Sequence, residues 1–140
     1  MGTQFTLLIA DRNRHVRDFL RREFTAEGYL VDLAKDGKEL VTILDSAVSH
    51  DLLILDLDMP CAGGPELLEH VLESKPLLPV VVHTFLTDDT THSAIQKAAA
   101  FLEKSGTNLD QLKEVVISVL RKCYPSRFGS MEACDGDETP

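Results

Sequence analysis

Leu52-Leu53-Ile54-Leu55-Asp56-Leu57-Asp58-Met59-Pro60 is an unbroken aliphatic run that ends in an acid and then a proline turn. Four large aliphatic residues without polar alternation are too short for a helix. They read as a strand buried on both faces, the form that parallel sheets produce. Residues 5–10 and 80–82 have the same character, with a weaker run at 30–34 and a short fifth one at Ala100-Phe101-Leu102. The intervening stretches change to helical spacing. Val16, Phe19, Leu20 and Phe24 form one stripe, Leu40, Val41, Leu44 and Val48 a second, and Leu67, Leu68, Val71 and Leu72 a third. The longest, Leu109, Leu112, Val116, Val119, Leu120 and Cys123, keeps one face over four turns behind an N-cap pair, Asn108 and Gln111. Residues 90–99 have only Ile95 as a large apolar anchor and make the weakest helix.

Strand and helix thus alternate five times, which short right-handed crossovers resolve into an α/β fold: a doubly wound parallel sheet with helices on both faces. Residues 1–123 form this domain. Residues 124–140, with four acids against Arg127 and little apolar content, read as a disordered acidic tail.

Length and composition restrict the function. The 140 residues suffice for one core, and 44% hydrophobic with 26% charged residues excludes a wholly disordered chain. No apolar run approaches the roughly 18 residues that cross a bilayer, so membrane insertion is not expected. The first residues lack the basic start of a secretory signal. Three cysteines without CxxC spacing point to reduced thiols and a cytoplasmic location. A net charge of −9 argues against direct nucleic-acid binding.

In an open parallel sheet, ligands gather at the carboxyl ends of the strands. Those ends carry Asp11, Asp56, Thr84 and Lys104. Two carboxylates suit a hard cation such as Mg²⁺, and a hydroxyl and an ammonium suit phosphoryl oxygens. Each residue also has a structural alternative. Asp56 or Asp11 can cap a following helix, Thr84 is an ordinary strand residue, and Lys104 an ordinary surface lysine. Phe101 read alone is core. His83 alternates to the face opposite Thr84, as a satisfied structural histidine. Cys61 has no evident base to activate it. Arg14, Arg17 and Arg21 line one side of the first helix as a solvated face, or as a docking face for an acidic partner.

Leu8-Ile9-Ala10-Asp11, Leu55-Asp56-Leu57-Asp58-Met59-Pro60 with Gly64, Pro79-Val80-Val81-Val82-His83-Thr84 and Phe101-Leu102-Glu103-Lys104 together resemble the receiver domain of two-component response regulators, including the chemotaxis-regulator type. The resemblance spans residues 5 to about 123. It implies a flavodoxin-like sheet of strand order 2-1-3-4-5. It implies that Asp56 accepts a phosphoryl group from a sensor histidine kinase or a histidine phosphotransfer protein. Mg²⁺ would be held by Asp11, Asp56 and the carbonyl of Asp58. Thr84 and Lys104 would bind the phosphoryl oxygens, with Thr84 and Phe101 as the switch residues.

The implied protein is a single-domain receiver that changes protein–protein contacts and slowly dephosphorylates itself, rather than a turnover enzyme. Arg12 departs from the pattern, because the family usually has a second acid there. Ser105 stands where proline is usual, and Ala98-Ala99-Ala100 replaces the usual glycine. Two alternatives follow. One is a degenerate receiver that binds independently of phosphorylation, with Arg12 paired to Asp56 in place of the metal. The other is an aspartyl-phosphate phosphatase read from Asp56-Leu57-Asp58, which lacks a cap segment for substrate.

Overall fold

The structure is a computed structural model that describes residues 4–59, 64–85 and 93–128. The apolar runs form five strands, β1 (Thr6–Ala10), β2 (Leu30–Ala34), β3 (Leu52–Leu55), β4 (Val80–Thr84) and β5 (Ala100–Glu103). All neighbours pair in parallel, in the order β2-β1-β3-β4-β5. The longer helices among the described residues are α1 (Arg14–Ala26), α2 (Gly37–Asp45), α3 (Gly64–Ser74) and α4 (Leu109–Cys123).

Side chains alternate between the faces of each strand, and this divides the core into two layers. Leu8, Ala10, Leu53, Leu55, Val80 and Val82 pack with Leu40 and Leu44 of α2 and Leu67, Leu68 and Val71 of α3. Leu7, Ile9, Leu52, Ile54 and Val81 pack with Leu20 and Phe24 of α1 and Leu112, Val116 and Leu120 of α4. β3 and β4, central in the sheet, are buried along their whole length. β2 is an edge strand and alternates, with Leu30 half exposed.

Local signals fix the helix ends. The Asn13 side chain accepts from the backbone of His15 and Val16, so Asn13 caps α1 and Asp11 does not. At the far end Gly28 adopts φ +101, and the amides of Gly28 and Tyr29 donate to the carbonyls of Thr25 and Phe24. A side chain would be strained in that conformation. Asn108 and Gln111 form a reciprocal capping box on α4.

Two expectations change. The fourth helical stretch in chain order, expected over residues 90–99, is a 3-10 segment at Ser93–Lys97 within the described residues, anchored by buried Ile95. One large apolar side chain does not give a longer helix a face to bury. The domain also continues past Cys123. Residues 125–128 form a further helical turn, and Tyr124, Arg127 and Phe128 pack beneath the sheet. The Phe128 ring stacks on Phe5 at 5.4 Å, and the Tyr124 hydroxyl donates to the carbonyl of Asp51 at 2.8 Å. Arg127 lies over Phe5 at 4.2 Å and bonds the Asp51 carboxylate at 2.6 Å. The folded region therefore reaches at least Phe128. Residues 129–140, the rest of the expected tail, lie outside the described residues.

Candidate functional site

The strand ends bring together the four residues expected there. Asp11 and Asp56 immediately follow β1 and β3, Thr84 ends β4, and Lys104 follows β5. Parallel register aligns these carboxyl ends on one edge; the Asp56 amide donates to Ala10 O at 2.9 Å and the Asp11 amide to Ala34 O at 3.2 Å. Asp11, Asp56 and Thr84 are 2%, 3% and 4% exposed, so solvent solvates none of their polar atoms well. Their partners must come from the protein.

Asp56 Oδ1 accepts from the Thr84 hydroxyl at 2.9 Å and from the Asp58 amide at 3.1 Å. Its Oδ2 faces the Lys104 ammonium at 3.3 Å. Lys104 Nζ sits closer to Asp11 Oδ2, at 2.7 Å. Asp11 Oδ1 accepts from the Asn13 amide at 2.9 Å. One ammonium is thus shared by two buried carboxylates, leaving one net negative charge. Burial pushes the Asp11 carboxyl above the usual carboxylate range and the Asp56 charge adds to that. The Lys104 and Asn13 hydrogen bonds oppose it.

Arg12 does not do what its place in the sequence suggests. Its guanidinium pairs with Asp58 Oδ2 at 3.4 Å, in an exposed pair. The expected pairing of Arg12 with Asp56 is replaced by Lys104, which follows β5, is nearly buried and lies 5.5 Å from the Phe85 ring. The Asp58 side chain faces solvent, and its backbone amide faces Asp56. Phe101 is half-buried against the α2–α3 layer. Pro60 and Cys61 lie outside the described residues.

Arg17 is a contribution that the sequence did not single out. Its spacing puts it on one face with Arg14 and Arg21, yet its guanidinium turns back to the carbonyls of Asp11 at 2.8 Å and Arg12 at 3.2 Å. It ties α1 to the loop that presents Asp11. The only available signal was its spacing from that loop, one turn into the helix.

His83 lies on the α1–α4 face as alternation required, and it is buried, but its Nδ1 has no hydrogen-bond partner among the described residues. The expected satisfied histidine is therefore only partly found. It lines a cavity of about 260 Å³ with Phe19, Leu20, Phe85, Lys104 and Leu112. Burial and the Lys104 charge lower its pKa to about 4.

The donor set matches a hard cation. Among the described residues no three carboxylate, imidazole or thiolate side chains converge. Mg²⁺, however, commonly takes one or two carboxylates and completes its shell with water and phosphate oxygens. Asp11 and Asp56, already sharing a cation, fit that requirement.

Comparison with known proteins agrees with this geometry. The family model of the response regulator receiver domain matches residues 7–117. The chain belongs to the response regulator receiver family. Response regulator RR06 of Streptococcus pneumoniae is 37% identical over 89 residues, 64% of this chain and 40% of that protein. Response regulator MprA of Mycobacterium tuberculosis is 37% identical over 78 residues, 56% of this chain and 34% of its own length. The chain thus spans well under half the length of these relatives. Among solved structures, response regulator TrrA of Thermotoga maritima in complex with Mg²⁺-BeF aligns with a TM-score of 0.73 at 28% identity, covering 85% of this chain and 99% of that one. A CheY-like receiver domain protein of Methanospirillum hungatei aligns at 0.80 with 22% identity, covering 89% and 99%, a likeness of fold. No helix among the described residues is long and apolar enough to cross a membrane.

Proposed function

We propose that this receiver domain is a phosphorylation-operated switch with Asp56 as its phosphoacceptor. The observation supporting it most is the division of labour on the Asp56 carboxylate. Oδ1 is held by Thr84 and the Asp58 amide, while Oδ2 faces only Lys104 among the described residues. The held oxygen orients the group and the other is placed to attack. Its donor would be a phosphohistidine on a sensor kinase or phosphotransfer protein. The Asp56 Oδ2–P bond forms as the P–N bond breaks, and the electron pair returns to the imidazole nitrogen.

Asp11, Asp56 and the Asp58 carbonyl would hold Mg²⁺. When bound, that ion neutralises phosphoryl oxygens. Lys104 takes a second share of the phosphoryl charge by leaving Asp11. The Thr84 hydroxyl, freed from Asp56 Oδ1, turns to a phosphoryl oxygen. Withdrawal of Thr84 toward the site changes the packing at the end of β4, to which Phe101, paired with Val82 in the neighbouring strand, would respond. The readout is an altered protein–protein contact.

Intact mass after incubation with phosphoramidate and Mg²⁺ tests the acceptor. One base-labile phosphoryl group should add to the wild type and none to Asp56→Asn. Label retained in that variant would reject Asp56. Lys104→Ala, where it still accepts phosphate, should show no phosphorylation-dependent change in the amide chemical shifts around Thr84 and Phe101.

A further inference from the structure

The exposed Arg12–Asp58 pair lies at the rim of the buried acceptor site, and its two side chains bond each other rather than the resting carboxylates. Arg12 follows Asp11 directly, and Arg17 fixes the carbonyls of both residues. The backbone beneath Arg12 is therefore held while its side chain is 59% exposed and free to change partner. That partner, Asp58, is 70% exposed. An exposed ion pair of this kind contributes roughly 0–1 kcal/mol, so little opposes its exchange. Asp58 stands two residues from the acceptor, with its amide on Asp56 Oδ1. The guanidinium is thus paired at the rim, on the residue next to Asp11 and with a partner whose own amide bonds the acceptor carboxylate.

Charge gives the exchange its direction. With Asp56 carrying a phosphoryl group, the edge gains negative charge, and Lys104 is already divided between two carboxylates. A planar guanidinium can meet two phosphoryl oxygens at once, a stronger interaction than its single contact with Asp58. The same cation opposes a divalent ion, because both would face the same oxygens.

We infer that Arg12 is a phosphoryl-binding residue that leaves Asp58 for the group carried by Asp56, so that acceptance proceeds without Mg²⁺ as well as with it. The inference rests on Asp56 being the acceptor. With phosphoramidate as donor, the Asp56 carboxylate forms the O–P bond as the P–N bond breaks, and ammonia leaves with the electron pair.

The experiment follows phosphoramidate labelling by intact mass in Mg²⁺ and in EDTA, for the wild type, Arg12→Ala and Arg12→Gln. The wild-type rates in the two conditions should agree within about threefold, and the ratio should rise about tenfold or more in both variants, the effect of losing a charge-assisted hydrogen bond. In parallel, ¹⁹F NMR should detect a beryllofluoride adduct on metal-free wild type and a much weaker one on Arg12→Ala of unchanged circular dichroism. Wild-type labelling that requires Mg²⁺, or an unchanged ratio in the variants, overturns the role of Arg12 and leaves Asp56 as acceptor. Absence of label and adduct under every condition overturns both.

Discussion

At the amino edge of the sheet, Asp51 has a full set of partners. Its carboxylate accepts from the Thr6 amide at 2.8 Å and from Arg127 at 2.6 Å, and its carbonyl accepts from Tyr124. At the carboxyl edge, Asp11 and Asp56 are more deeply buried and divide a single ammonium. The lower edge joins the start of β1 and the turn after α4 to Asp51 before β3, with the Asp51 charge matched by Arg127 and aromatic rings around the pair. The upper edge retains charge that a cation or phosphoryl group can rearrange. Stability is concentrated where no chemistry is proposed, and electrostatic strain where it is.

The largest test of this contrast is truncation after Cys123. It removes the Tyr124 and Phe128 rings and leaves Asp51 without Arg127. The loss should be about 4 kcal/mol, from partial burial of two rings and a charged hydrogen bond. Urea denaturation measures it, and an unchanged midpoint would mean that residues 124–128 do not seal the lower edge.

Lys104→Met tests the upper edge. Removing the shared ammonium leaves two buried carboxylates facing each other and should cost about 3 kcal/mol at neutral pH. The pH dependence identifies the cause. The Asp11 pKa is raised in the folded state, so the folded protein holds that proton more tightly than the unfolded chain does. Stability from this group is gained as pH falls through the folded value. The variant should therefore recover part of its loss on acidification. A loss that persists unchanged to low pH would point to packing against Phe85.

The upper edge was largely legible in the sequence and the lower edge was not. Apolar runs with an acid, a hydroxyl or a lysine at their ends define where a parallel sheet gathers its polar groups, so Asp11, Asp56, Thr84 and Lys104 could be found without coordinates. Partner choice could not. Arg12 and Lys104 are both cations within reach of carboxylates, and only the path of β5 brings Lys104 between Asp11 and Asp56. Arg127 and Asp51 lie 76 residues apart, and no local pattern links them. Phe5 looked like the first residue of a strand, whereas its ring is the platform for Phe128. Amphipathic periodicity revealed α4 over its full length, but the turn after it is held by tertiary contacts alone.

The smallest expected effect is at His83, which joins the two regimes: its ring belongs to the α1–α4 core, while Lys104 contributes to its pKa shift. With its folded pKa near 4, the ring stays neutral in the folded protein at pH values where the unfolded chain already binds a proton. The sign is therefore opposite to that of Asp11. Stability is full above the ordinary histidine value of about 6.5 and falls as pH drops toward 4. At pH 5 the loss should be about 2 kcal/mol. His83→Leu removes it, along with a buried nitrogen that lacks a partner. The advantage of the variant over wild type should therefore be about 2 kcal/mol larger at pH 5 than at pH 7. Asp11 is common to both proteins and cancels in the difference. Parallel stability curves from pH 7 to 5 would mean that the folded protein accommodates the imidazolium, through solvent reaching the ring from the 260 Å³ cavity. In that case the strain of the upper edge ends at Lys104 and does not extend into the core.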